Sequence, residues 1–241
     1  MLLPTILLSL TLAVVGGALQ GSAQSSSPAL LQRTFVGPDG RILYGLSVPA
    51  GYKPGEPRPL VVALHPGGPR TPYYGYSFLR SIVSPALRDF GAVMIAPDCP
   101  PPGSWSDPAG ERAVLALVES IRKEYAIDAR RILVTGFSMG GRGTWFMAAR
   151  HADLFTAAIP IAGTPGSEPL DRLGRIPTYI VHSRADQVVP FEADERAALE
   201  LEKLGRPVRF EPLDGIGHYE MGGYVDALTR AGRWVMDHWN R

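Results

Sequence analysis

Ile132-Leu133-Val134-Thr135-Gly136-Phe137-Ser138-Met139-Gly140-Gly141 is the stretch on which the reading of this chain turns. Its first residues are apolar and β-branched, the composition of a buried strand. Its last residues lead into 140–150, a helix-forming run. Between them lies Gly136-Phe137-Ser138-Met139-Gly140, a G-x-S-x-G pattern at the point where strand gives way to helix. A serine on so sharp a turn stands exposed at the strand's end. The flanking glycines answer a steric need, because a Cβ at either position would crowd neighbouring backbone. The pentapeptide alone occurs by chance in many proteins. Its strand-to-helix setting makes Ser138 a candidate nucleophile rather than part of a glycine-rich structural turn.

Outward from this segment the chain alternates. The run at 60–64 (LVVAL) is short and apolar, fit for a strand buried on both faces, and 92–96, 131–135, 157–161, 178–181 and 208–212 read as further strands. Helical patterns at 78–89, 111–124, 140–150, 192–204 and 225–239 separate them, and 111–124 is amphipathic, with Val114, Leu115, Leu117, Val118 and Ile121 as its apolar residues. Upstream, 32–36 and 41–48 flank Pro38-Asp39-Gly40, a hairpin turn signal. Such alternation predicts an α/β fold: a mostly parallel sheet with helices on both faces and an antiparallel hairpin at one edge. No repeat or linker interrupts it, so 31–241 reads as a single domain. Only 162–175 separates the strand at 157–161 from the next, too little for a cap domain.

A serine nucleophile needs a base, and the base needs an orienting carboxylate. Of the histidines after Ser138, His151 and His238 fall late in helices among charged neighbours and read as solvated. His182 ends a strand. His218 lies in the loop Asp214-Gly215-Ile216-Gly217-His218, after the last strand, where flanking glycine lets the ring reach back over the sheet. His218 is the candidate base. Asp186, in the loop after the strand at 178–181, is the candidate acid; Asp214, four residues from His218, reads as a turn residue. Negative charge on a tetrahedral intermediate needs two N–H donors. One is Met139, directly after the serine. The other comes from Leu64-His65-Pro66-Gly67-Gly68, where Pro66 has no N–H, so Gly67 is preferred and Gly68 held in reserve. His65 reads as a brace for that loop. Trp105, Tyr73 and Tyr219 are candidate substrate-binding aromatics, with Tyr74 also in place to line a pocket. Cys99 reads as a small buried hydrophobe.

LHPGG at 64–68, GFSMGG at 136–141, HSRADQVVP at 182–190 and GIGH at 215–218 together resemble the α/β-hydrolase superfamily. Within it the chain is similar to compact secreted esterases grouped with polyhydroxybutyrate depolymerases, feruloyl esterases and dienelactone-hydrolase-like or prolyl-oligopeptidase-like "predicted peptidases". The order Ser138, Asp186, His218 is that superfamily's. The resemblance implies a serine hydrolase that cleaves carboxylic esters, small or polymer-attached, through an acyl-enzyme and without a cofactor. A serine peptidase acting on short peptides is the alternative, and a non-catalytic binding protein on the same scaffold is a second. Two departures are Pro66, where such proteins commonly carry glycine, and Ser183, where HG often precedes the acid loop.

Composition excludes other classes. Net charge is +1 from 24 Lys+Arg and 23 Asp+Glu, and the tightest basic pair is Arg130-Arg131, so nothing favours a nucleic-acid partner. Cys99 stands alone, which rules out an internal disulfide and a cysteine-based zinc site. The histidines lack H-E-x-x-H or H-x-H spacing, and the run at 140–143 lacks a Walker or dinucleotide signature, so no metal or nucleotide is expected. Residues 1–23 carry no charge, are apolar over 2–15, and end in Gly21-Ser22-Ala23. They read as a cleaved signal peptide, shorter in its apolar run than the ~20 residues of a spanning helix. That implies a secreted or periplasmic protein without stable membrane insertion, with 24–30 as a flexible stub.

Overall fold

The computed structural model describes residues 28–68 and 71–241. The expected signal peptide and most of the expected stub lie outside the described residues. Eight strands form one sheet in the order β1-β2-β4-β3-β5-β6-β7-β8. They are β1 (Ala29–Gly37), β2 (Gly40–Val48), β3 (Arg58–Leu64), β4 (Val93–Pro97), β5 (Ile127–Phe137), β6 (Ala157–Ile161), β7 (Thr178–Ser183) and β8 (Val208–Leu213). β1 and β2 form the antiparallel hairpin, β2 runs antiparallel to β4, and every other pairing is parallel. β1 starts at Ala29, so Ala29 and Leu30, expected in the loose stub, pair with Val48 and Ser47.

The run Leu60-Val61-Val62-Ala63-Leu64 shows why the sheet is covered twice. Leu60, Val62 and Leu64 point to one face, where they meet Val114, Leu117 and Ile121 of α3 (Pro108–Glu124) and Trp145 of α4 (Met139–Arg150). Val61 and Ala63 point to the other, against Phe78, Leu79 and Leu228. α5 (Phe191–Lys203) joins the first layer through Ala198 and Leu201, and α6 (Val225–Trp239) the second through Ala227, Leu228 and Val235.

The helix expected over 78–89 is earlier and irregular: α1 (Tyr74–Phe78), a π-type turn Leu79–Val83, and α2 (Ser84–Ala86). Pro85 has no N–H to continue the ladder, and the turn before it widens so that Ser84 N–H reaches Leu79 O. The connection from β6 to β7 holds only a short 3₁₀ turn, Leu170–Leu173, so no cap covers the sheet among the described residues. No described helix is long and apolar enough to cross a membrane.

Candidate active site

Parallel strands leave their carboxyl ends on one edge, and the loops there gather the candidate side chains. Ser138 follows β5 and caps α4, with φ 56° and ψ −113°, a strained conformation for a residue with a side chain. Surrounding contacts hold it there: its N–H donates to Ile161 O at 2.9 Å, and its carbonyl accepts from Arg142 N–H at 2.9 Å. A Cβ on Gly136 would collide with the Gly140 carbonyl, and one on Gly140 with the Leu64 carbonyl. The two glycines let β3, β5 and α4 meet closely enough to form the turn.

Three side chains from three loops stand in line. His218 Nε2 is 2.8 Å from Ser138 Oγ, and His218 Nδ1 is 2.6 Å from Asp186 Oδ2. Asp186 Oδ1 accepts the N–H groups of Val188 and Val189, both at 2.8 Å. Burial would raise the Asp186 carboxyl; those N–H bonds and His218 outweigh it and hold the group below its usual range. A carboxylate so fixed keeps one ring nitrogen protonated and leaves Nε2 able to take the serine's proton.

Met139 opens α4, so its N–H is one of the helix's first donors without an intrahelical partner. Gly67 lies across from it: a Cβ there would sit 3.8 Å from Met139 Cβ. Both Gly67 and Gly68 line the cavity beside Met139. His65 braces their loop. Its Nε2 accepts Cys99 N–H at 3.0 Å, which leaves the proton on Nδ1 to donate to Pro66 O at 2.7 Å. Burial lowers this imidazole's basicity, so it stays neutral as a brace.

Two cavities meet at Met139. One, of about 480 Å³, is lined by Ile42, Leu43, Pro72, Tyr74, Pro100 and Met139 among others. The second, of about 440 Å³, holds Ser138 with Ser104, Ser106, Arg142, Thr164 and Val189. The expected aromatics fare differently. Trp105 lines neither; it is fully buried and its indole N–H donates to His65 O at 2.9 Å, because a buried indole needs a partner. Tyr73 lines neither. It sits at φ 61° before α1, its N–H held by Asp98 Oδ2, and the next residue, Tyr74, turns its ring into the cavity instead. Tyr219 lines neither; it is 84% exposed, its ring perpendicular to that of His218. Cys99 is half-buried at the first cavity rather than fully buried.

One acid escaped the sequence reading. Asp194 on α5 is wholly buried, with Oδ2 2.8 Å from His182 Nδ1 and Oδ1 accepting Trp145 Nε1–H at 3.2 Å. A signal for it exists: Phe191, Asp194, Ala198 and Leu201 share helical spacing, which puts a carboxylate on the apolar stripe. Among the described residues no group of three His, Cys, Asp or Glu could hold a metal ion.

Comparison with known proteins fits this geometry. A crystal structure of a thermostable esterase superposes with a TM-score of 0.75 at 30% identity, over 86% of this chain and 62% of that one. The chain has the α/β-hydrolase fold. Residues 105–219 match the Dienelactone hydrolase family. Feruloyl esterase C of Emericella nidulans is 27% identical over 167 residues, 62% of this chain and 56% of that protein. Poly(3-hydroxyalkanoate) depolymerase C of Paucimonas lemoignei is 38% identical over 65 residues, covering 27% and 16%. The chain thus spans about half the length of the feruloyl esterases it matches.

Proposed function

We propose that this chain hydrolyses carboxylic esters through Ser138, His218 and Asp186. The observation that carries the reading is the hydrogen-bonded line of those three side chains at the carboxyl edge of the sheet. Ser138 Oγ attacks the acyl carbonyl while His218 Nε2 takes its proton, and Asp186 stabilises the imidazolium. The N–H groups of Met139 and Gly67 receive the oxyanion. The alcohol leaves with the proton from His218, and water then releases the acyl group by the same steps in reverse.

The two cavities support a substrate class. An aromatic or other apolar group fits the side lined by Ile42, Leu43 and Tyr74, and a hydroxyl-rich or polymer-attached group fits the side with Ser104, Ser106 and Thr164. Without a cap, a bulky alcohol can reach Ser138 from solvent. The feruloyl esterase and depolymerase relatives agree with esters of that kind. The uncharged apolar segment 1–23 supports export by a cleaved signal, with a mature chain starting at Gln24 on N-terminal sequencing.

The test is hydrolysis of p-nitrophenyl esters, acetate through octanoate and one aromatic acyl ester, beside fluorophosphonate labelling. Ser138→Ala is expected to lose label and about 10⁵–10⁶-fold in kcat. Unchanged hydrolysis in the variant would overturn the reading. Labelled wild type that cleaves peptides and no ester would replace it with a peptidase, and folded wild type that takes no label would point to a binding protein.

A further inference from the structure

Behind the Ser138–His218–Asp186 line lies a second, wholly buried layer. Asp186 Oδ2, the oxygen that accepts from His218, is also 3.2 Å from His182 Nε2, and the other ring nitrogen of His182 is 2.8 Å from Asp194 Oδ2. The side chains of His182, Asp186 and Asp194 are all 0% exposed. We propose that His182 and Asp194 are positioning residues for the proposed reaction: anchored by Asp194, His182 donates a second hydrogen bond to Asp186 and thereby sets how strongly Asp186 holds the His218 ring. The inference rests on the ester-hydrolase reading for its rate assay, and has a readout free of it.

A carboxylate offers about four acceptor positions. In Asp186 all four are used: Val188 and Val189 N–H on Oδ1, His218 and His182 on Oδ2. The carboxylate therefore cannot rotate without losing a buried bond. Because two donors share Oδ2, each draws on the same negative charge. A His182 that stops donating leaves more of that charge facing His218, which favours the protonated ring.

The layer has a single proton to place. Burial alone would lower the His182 imidazole, but Asp194 and then Asp186 outweigh it and hold it above its ordinary value. Burial pushes Asp194 up, opposed by His182, by Trp145 Nε1–H and by Gly163 N–H. With both ring nitrogens facing carboxylate oxygens, the geometry puts the proton on His182 as an imidazolium. The other titratable groups nearby are the Tyr224 hydroxyl, which senses Asp186 and Glu220, and Tyr219, edge-on to His218.

The experiment compares wild type, Asp194→Asn and His182→Gln, all confirmed folded by thermal melting. Asn can still accept from Trp145 and donate to His182 Nδ1, but it removes the charge that keeps the ring protonated; the neutral ring then gives Asp186 a weaker Nε2–H bond and leaves more of the carboxylate's charge facing His218. Readouts are kcat and KM on p-nitrophenyl acetate from pH 5 to 9, and the rate at which a fluorophosphonate labels Ser138 over the same range. Expected is a fall in kcat of about 10-fold, the lower end of what outer hydrogen-bond partners are worth around metal-bound histidines. KM should stay within twofold, and the acid limb of both profiles should move to higher pH. Folded variants with wild-type kcat, labelling rate and acid limb would overturn the inference and leave the layer a packing device. If no ester is cleaved, the labelling profile still decides it. If neither variant folds, ¹⁵N-histidine NMR of wild type decides: His182 should carry protons on both ring nitrogens at pH 7, and a ring with Nε2 bare toward Asp186 sinks the proposal.

Discussion

His151 and His182 each place a ring nitrogen 2.8 Å from a carboxylate oxygen, Glu111 Oε1 in one case and Asp194 Oδ2 in the other. Geometry does not distinguish them; environment does. The His151 and Glu111 side chains are 21% and 15% exposed, on a surface network that also links Arg150, Glu168 and Arg172. Water can replace any member of that network. His182 and Asp194 are closed off from solvent, so protein atoms must satisfy every polar group. Equal distances therefore carry unequal free energies. A buried pair is costly to break even where a well-packed apolar substitute would have served as well.

The largest expected effect tests that inequality directly. Asp194→Ala strands His182 beneath the sheet edge and should lower unfolding free energy by about 3–5 kcal/mol. Glu111→Gln at the surface pair should cost no more than about 1 kcal/mol. Urea unfolding of both variants checks this, and similar losses would break the comparison.

A smaller effect lies in pH. The folded His182–Asp194 pair keeps one proton. The unfolded chain gives up its imidazole proton around the ordinary value of 6.5, whereas Asp194 and Asp186 hold the folded His182 above that value. Above 6.5 only the folded state holds the proton, and stability falls as pH rises, by at most about 1.4 kcal/mol per unit. Asp186, held below its usual range, acts on the other side: its contribution is present above 3.8 and is lost as pH falls through its folded value. Unfolding free energies from pH 3 to 9 should trace both losses, and His182→Gln should flatten the alkaline one. The smallest effect belongs to His151→Gln, which should leave kcat within twofold of wild type; a larger fall in kcat would show that the surface pair reaches the serine site as the buried pair does.

Much of the fold was legible in sequence because burial on both faces leaves unbroken apolar runs such as 60–64, and glycine marks turns that tolerate no Cβ. The same logic located Ser138, Asp186 and His218, each in a loop after a strand, and the structure brings them within hydrogen-bond reach. What escaped was the direction of individual side chains. Trp105 and Tyr73 read as pocket aromatics from loop position, yet one points inward to a buried carbonyl and the other yields its place to Tyr74. The helix expected over 78–89 instead starts at Tyr74 and widens into a π-type turn over Leu79–Val83 ahead of Pro85, a change that no periodicity announces.

By itself, then, the sequence determined the alternation of strands and helices, the strained serine turn, and which loops share one edge. Those features follow from local sterics and from the periodicity of burial, and both are written residue by residue. Only the tertiary structure decided that Asp194, eight residues past Asp186 and on a different element, closes over His182 and anchors the ring whose other nitrogen reaches Asp186. That contact depends on how α5 seats against β7. Its seating is the summed outcome of packing around Trp145, Ala198 and Leu201, and no short stretch of sequence contains it.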